Sequence, residues 1–258
     1  MNYIRIDIGS TCAKTVVLNE KKEIIQEFVQ PTGWSSVDTA EEIRQKLELA
    51  GINLSDDSSC CVATGYGRIS VPYADKTVTE ITCHALGAVH LFQQPDLTVI
   101  DIGGQDTKII QIEQGFVKDF IMNDKCAAGT GRFLEVMANT LSLRPNEMFD
   151  LARLGSDTTI SSMCTVFAES EVIGLIGKGE PKENIAYAVV NSTIRKVAAQ
   201  VSRMNGEMFT FCLTGGLCEC DYIREALSKE LGKDVFSCPD ARYAGAIGAA
   251  LSAMKVRR

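Results

Sequence analysis

The segment Ile6-Asp7-Ile8-Gly9 returns later in the chain as Ile100-Asp101-Ile102-Gly103, and in each copy a lysine, Lys14 or Lys108, stands seven residues beyond the aspartate. Each aspartate closes an apolar run, Tyr3–Gly9 or Leu97–Gly103, with the composition of a buried strand. Two further strand patterns follow each copy: Lys14–Leu18 and Glu23–Val29 in the first, Thr107–Ile112 and Phe116–Met122 in the second. A chain that begins twice in this way is expected to build two similar α/β halves, each a sheet covered by helices. Helical periodicity predicts Val37–Leu49, ended by Gly51, and Ile81–Phe92, with a short strand Cys60–Ala63 between them. After the second copy it predicts helices Gly131–Ser142, Pro145–Leu154, Val166–Ile176 and Ile185–Arg203. A strand Phe209–Leu213, a helix up to Leu231, a strand Asp234–Cys238 and a helix Tyr243–Met254 complete the pattern.

A length of 258 residues is enough to bury about three quarters of the unfolded surface, in one large domain or two small ones. Apolar runs fall short of the roughly 20 residues that span a bilayer. Met-Asn-Tyr-Ile-Arg-Ile-Asp at the N-terminus enters a strand pattern directly and is not expected to be a signal peptide. Membrane association is therefore not expected. A net charge of −7, with no basic tract longer than Lys-Val-Arg-Arg, excludes nucleic acid as an expected partner. Ten cysteines without an export signal argue against a disulfide framework and for a reducing, anaerobic cytoplasm. The two histidines, His84 and His90, are too few for a histidine metal site or triad and fall on a helix pattern as packing or surface residues. Cys60 and Cys61 are expected in the core, and Cys218-Glu219-Cys220, despite metal-like spacing, is expected to be incidental.

The two Asp-Ile-Gly turns are suited to phosphate, because such turns aim backbone N–H groups and hydroxyls at an anion. Gly9, Ser10 and Thr11 form the first, with Cys12 inside the same loop; Gly103, Gly104 and Gln105 form the second. Asp7 and Asp101 can hold Mg²⁺ through water, the ion bridging phosphate oxygens. Lys14 adds positive charge, whereas Lys108 is expected to be exposed on its strand. Gln105 can orient an attacking water. Thr214-Gly215-Gly216 closes another strand and suits the close approach of a base or ribose. Together these features point to nucleotide hydrolysis, with Asp7, Asp101 and Gln105 as the catalytic candidates.

Cys126 lies in Asn123-Asp-Lys-Cys-Ala-Ala-Gly-Thr-Gly-Arg-Phe-Leu-Glu135, just before or on the first turn of a predicted helix. Free N–H groups and the dipole at such a position favour thiolate. Gly129, Thr130 and Gly131 there offer a second phosphate cradle. Cys164 likewise precedes the helical run Val166, Phe167, Val172, Ile173, Ile176. Glu169 and Glu171 follow it, and capping the helix or meeting a partner protein are both open to them.

The order of Asp7-Ile-Gly-Ser-Thr, Asp101-Ile-Gly-Gly-Gln and Thr214-Gly-Gly resembles the phosphate-1, phosphate-2 and adenosine motifs of the actin, sugar-kinase and heat-shock chaperone superfamily. Within it, the Cys126 and Cys164 segments, with Thr64-Gly-Tyr-Gly-Arg, resemble the activators (component A) of 2-hydroxyacyl-CoA dehydratases, in the BadF/BadG/BcrA/BcrD ATPase family. The resemblance implies two ribonuclease-H-like domains flanking a nucleotide cleft, residues 1–95 plus 243–258 and residues 96–242, the second bearing the cysteine helices. It implies ATP or ADP with Mg²⁺, and one 4Fe–4S cluster per homodimer, held by Cys126 and Cys164 of each chain. Reduced ferredoxin or flavodoxin would load one electron. ATP binding would move the cysteine helices, and the electron would pass to an iron–sulfur dehydratase at low potential. A double-cubane cluster protein or a benzoyl-CoA reductase-type subunit is the alternative acceptor. From other classes, a small-molecule kinase would need a catalytic base that the chain does not offer, and an actin-like scaffold or redox sensor would not need ATP hydrolysis.

Overall fold

The computed structural model describes residues 1–54, 58–161, 164–205 and 209–256. Two compact units emerge: Met1–Leu97 with Ile112–Lys118 and Asp240–Arg258, and Thr98–Gln111 with Asp119–Pro239.

The first unit starts with β1 (Asn2–Ile8), β2 (Cys12–Leu18), β3 (Ile24–Pro31), α1 (Ser36–Leu49), β4 (Ser59–Thr64), β5 (Lys76–Thr77) and α2 (Glu80–Phe92). Its sheet runs β3-β2-β1-β4-β5, with β1 antiparallel to β2 and parallel to β4. The central strand β1 is buried on both faces, which is why its apolar run does not alternate. Ile4, Ile6 and Ile8 pack with Ala40, Ile43 and Leu47 of α1. Across the sheet, Val16 and Leu18 pack with Ala246, Ile247 and Ala250 of the chain's last helix, Ala244–Val256. Arg5 interrupts the apolar run yet is fully buried, and desolvation pushes its pKa down to about 10. The helix α1 starts at Ser35, whose side chain accepts from the Asp38 N–H, and ends where Gly51 takes φ +78°.

The second unit is built from β6 (Leu97–Ile102), β7 (Thr107–Glu113), β8 (Phe116–Asn123), α3 (Gly131–Thr140), α4 (Pro145–Ala152), α5 (Thr165–Gly177), α6 (Lys182–Val201), β9 (Thr210–Gly215), α7 (Asp221–Leu231) and β10 (Val235–Phe236), apart from Leu97 and Ile112–Lys118, which belong to the first unit. The last helix is α8. Its sheet runs β10-β9-β6-β7-β8, the same order as the first sheet. The repeat in sequence is thus a repeat in topology. The strand expected over Asp234–Cys238 shrinks to Val235–Phe236, because a 3₁₀ turn starts at Pro239, a residue without an N–H for the ladder. No helix among the described residues is long and apolar enough to cross a membrane.

Within the first unit, α2 and α8 meet backbone to backbone. A Cβ on Gly248 would overlap the Cys83 carbonyl, and one on Gly87 would overlap that of Ala244. Only glycine permits this approach, which sets α8 beneath β1 and β4 and close to Asp7.

Candidate nucleotide and cysteine sites

In the first unit Asp7 ends β1 with 5% of its surface exposed. Lys14 lies opposite it on β2 and Thr64 opposite it on β4. Burial raises its pKa above the usual carboxylate range, a shift that the positive charge of Lys14 opposes. Its Oδ1 is buried and has no hydrogen-bond partner. A buried, unsatisfied carboxylate oxygen costs stability. The following turn is closed by the Gly9 N–H donating to the Cys12 carbonyl at 3.1 Å, which leaves Ser10 and Thr11 exposed. Gly65, at φ +83°, passes so near that a Cβ would sit 2.5 Å from Asp7 Oδ1.

The second unit repeats this arrangement. Gly103 N–H donates to the Asp106 carbonyl at 2.9 Å, closing a turn that leaves Gln105 exposed and Gly104 partly so. Asp101 is 2% exposed, and its Oδ1 accepts from Thr214 Oγ1 at 2.8 Å. Gly215, at φ +86°, would place a Cβ 2.8 Å from the same oxygen and 2.6 Å from the Ile102 carbonyl. Gly216 donates its N–H to the Ile102 carbonyl at 3.1 Å and is exposed. Thr64-Gly65 is therefore the counterpart of Thr214-Gly215. In sequence the two share only a dipeptide, too short to be noticed.

Lys108 departs from expectation. It is 1% exposed, not on the surface, and its ammonium lies 2.8 Å from Asp106 and 3.4 Å from Asp101. A buried lysine is tolerated where two carboxylates compensate its charge. The matched spacing of Lys14 and Lys108 was the signal for this role; Asp106 carried none.

The Cys126 segment also departs from expectation. Cys126 is exposed in a loop well ahead of Gly131, the first residue of α3, so it does not sit at that helix's N-terminus. Nor are the first donors of α3 free: Gly131 N–H donates to the Gly103 carbonyl at 2.9 Å and Arg132 N–H to that of Gly104 at 2.7 Å. Thr130 N–H and Oγ1 both donate to the Ala127 carbonyl. Thr107 Oγ1, fully buried, donates to the Gly129 carbonyl at 2.6 Å, and Asn123 Nδ2 donates to the carbonyls of Cys126 and Ala128. The Gly103–Asp106 turn and the Cys126 loop are thus tied together by hydrogen bonds.

Cys164 is the N-cap of α5, in extended conformation and exposed. Glu171 accepts from the N–H and Oγ of Ser161, and Glu169 from Thr140 Oγ1, so both are engaged within the unit. Of the ten cysteines only Cys126 and Cys164 are exposed; Cys60 and Cys61 lie in the core as expected. Cys218 is buried, and burial raises the pKa of Cys220 at the N-cap of α7.

Two sheets of one order, each with an aspartate closing its first strand and a glycine turn beyond it, define a nucleotide-binding protein of the actin-like ATPase class. The chain belongs to the BadF/BadG/BcrA/BcrD ATPase family, whose sequence model matches residues 4–253. It is 44% identical over 255 residues to the (R)-2-hydroxyglutaryl-CoA dehydratase activating ATPase of Acidaminococcus fermentans, covering 97% of this chain and 96% of that one. It is 40% identical to the activator of lactoyl-CoA dehydratase of Anaerotignum propionicum, covering 98% and 97%. The structure of the 2-hydroxyisocaproyl-CoA dehydratase activator of Clostridium difficile with bound ADPNP superimposes with a TM-score of 0.89 at 34% identity, over 99% of this chain and 95% of that one.

Proposed function

We propose that this chain is an ATP-driven donor of single electrons that activates a partner iron–sulfur enzyme, most directly a 2-hydroxyacyl-CoA dehydratase. The observation that carries this reading is the exposure of Cys126 and Cys164 alone among ten cysteines. Two thiols held at the surface of one unit, while Cys12, Cys220 and Cys238 are only partly exposed and the other five are buried, are ligands or reactive groups, not packing. They are half the thiolates of a 4Fe–4S cluster, so a second copy supplies the other half and the assembly is a two-fold homodimer. The exposed Val166, Phe167, Ile173 and Ile176 of α5 support an apolar contact of this kind. Such a cluster supplies a one-electron carrier. The names of the related activators support the dehydratase as acceptor; a benzoyl-CoA reductase subunit among the relatives supports a reductase as the alternative. Reduced ferredoxin or flavodoxin is the proposed donor, in a reducing cytoplasm.

ATP with Mg²⁺ is the proposed ligand of the two turns, and ADPNP in the related activator supports it. The unpartnered Asp7 Oδ1 fits a hydrated cation. Gly9, Ser10, Thr11, Gly103 and Gly104 face phosphate, Lys14 offsets its charge, Asp7 and Asp101 hold the ion through water, and Gln105 orients the attacking water. Gly215 and Gly216 take the nucleoside. Gly129, Thr130 and Gly131 reach the nucleotide through Gly103 and Gly104. As domains we take residues 1–95 with 243–258, and residues 96–242.

Iron and sulfide in anaerobically purified protein test the reading. Four irons per dimer are expected from the four thiolates of two chains, and both Cys126→Ala and Cys164→Ala should abolish them. A dimer without iron after anaerobic reconstitution would sink the electron-transfer role.

The bond from Thr107 to Gly129 gives a second prediction. Thr107→Val leaves the buried Gly129 carbonyl without its donor, a loss worth about 1–3 kcal/mol. ATP turnover should stay within about threefold, while ATP-dependent electron delivery to the acceptor falls about tenfold. Equal falls in both rates would show that Thr107 serves hydrolysis and not its coupling to the cysteine loop.

A further inference from the structure

His84 sits on α2, one turn beyond Glu80, with 3% of its surface exposed. Helical periodicity gives it a packing role, which an apolar ring would fill without loss. An imidazole instead brings two polar nitrogens into the interior, and each costs desolvation unless it meets a polar group. Its Nε2 lies 3.7 Å from Oε1 of Glu80. A Cβ on Gly245, in the first turn of α8, would stand 2.7 Å from the same Nε2 and 3.2 Å from Asp7 Oδ2. The imidazole nitrogen and the Asp7 oxygen therefore converge on one small space, which any side chain at position 245 would enter. Two carboxylates on the Nε2 side call for a hydrogen on that nitrogen, because an ionised carboxylate only accepts. Asp7, Glu80, His84 and Gly245 all belong to the first unit.

A carboxylate that holds a cation does so best when a neighbouring group fixes its orientation. We infer that His84 is a positioning residue for Asp7: its Nε2–H, steered by Glu80, anchors Oδ2 and sets the plane in which the carboxylate meets a cation-bound water. Glycine at 245 leaves the path between the two side chains open. The inference rests on the reading of Asp7 as the residue that holds a hydrated cation beside the nucleotide. His84 acts through Asp7 and is given no contact with the nucleotide.

Mn²⁺ binding to the full chain with saturating ADPNP tests this, Mn²⁺ standing in for Mg²⁺. The loss of the free-ion electron paramagnetic resonance signal reports it without counting turnover. His84→Phe keeps a buried ring and removes the donor, whereas His84→Gln restores an N–H₂ near the place of Nε2. The first should weaken Mn²⁺ at least about tenfold, and the second should return it to within about threefold of the native protein. Gly245→Ala, which pushes a methyl between the two side chains, should act as His84→Phe does. Glu80→Gln, at a partly exposed side chain that tolerates the change, should weaken Mn²⁺ about threefold. ADPNP binding without any divalent cation should stay within about threefold of native throughout. A merely structural role would weaken ADPNP with and without the cation alike, and Gln would not rescue it. That result, or native Mn²⁺ affinity in His84→Phe, overturns the assignment of His84. A native protein that binds ADPNP but no Mn²⁺ would sink the cation reading of Asp7 itself, and this inference with it.

Discussion

Asp7→Asn is expected to lower ATP turnover by about 100-fold or more while making the protein more stable. The fall in turnover follows from the proposed role of Asp7, whose charge would hold a hydrated cation on the phosphate oxygens. The gain in stability follows from the same side chain's surroundings. Asp7 is buried, its Oδ1 has no partner, and its folded pKa lies above the ordinary carboxylate value because of desolvation. Below about pH 4 the group is neutral in both the folded and unfolded states and costs nothing. As pH rises through the raised folded value, the unfolded chain ionises more readily than the folded one, and stability attributable to this group is lost. Asparagine cannot ionise. The difference in melting temperature between Asp7→Asn and the native protein should therefore grow as pH rises above about 4 and level off only once pH has passed the raised folded value. Thermal melts across that range, beside phosphate-release rates, are the measurement. A variant that turns over normally would remove Asp7 from the catalytic group, and one that melts lower at every pH would mean that its carboxylate is structural. The trade of stability for activity at one residue is the pattern expected of a functional carboxylate.

Gly248→Ala is the substitution expected to damage the fold most. Its Cβ would overlap the Cys83 carbonyl and crowd the Gly87 backbone N, both parts of a rigid helix. No side-chain rotation relieves this clash, so α2 and α8 must separate. The loss should be about 3 kcal/mol or more, lowering the melting temperature by roughly 10 °C. Turnover should fall with it, because α8 packs on β1, which carries Asp7, and on β4, which leads into Gly65. Gly174→Ala, on α5, is the control. A Cβ there meets nothing within 4 Å, so the greater helix propensity of alanine should stabilise by about 0.5–1 kcal/mol. If both alanines behaved alike, close approach would not be the reason that position 248 is glycine.

The sequence by itself determined the two-fold beginning of the chain, and with it the two sheets. Apolar runs at β1 and β6 carry that information locally, because a central strand buried on both faces must be apolar throughout. The sequence also placed Asp7, Asp101 and the two glycine turns, since an aspartate at the end of such a strand has few structural uses. It singled out Cys126 and Cys164 from ten cysteines, which the exposures of the side chains parallel. Only the tertiary structure decided the rest. Lys108 looks like any strand lysine until Asp101 and Asp106 are brought to either side of it. Thr64-Gly65 becomes the partner of Thr214-Gly215 only when β4 lies beside β1 and β9 beside β6. The first N–H groups of α3 looked free, but the carbonyls of Gly103 and Gly104 arrive from distant sequence to take them. Periodicity reports which face of an element is buried. It does not report which distant group is buried against it, and that is where charge pairing and hydrogen bonding are settled.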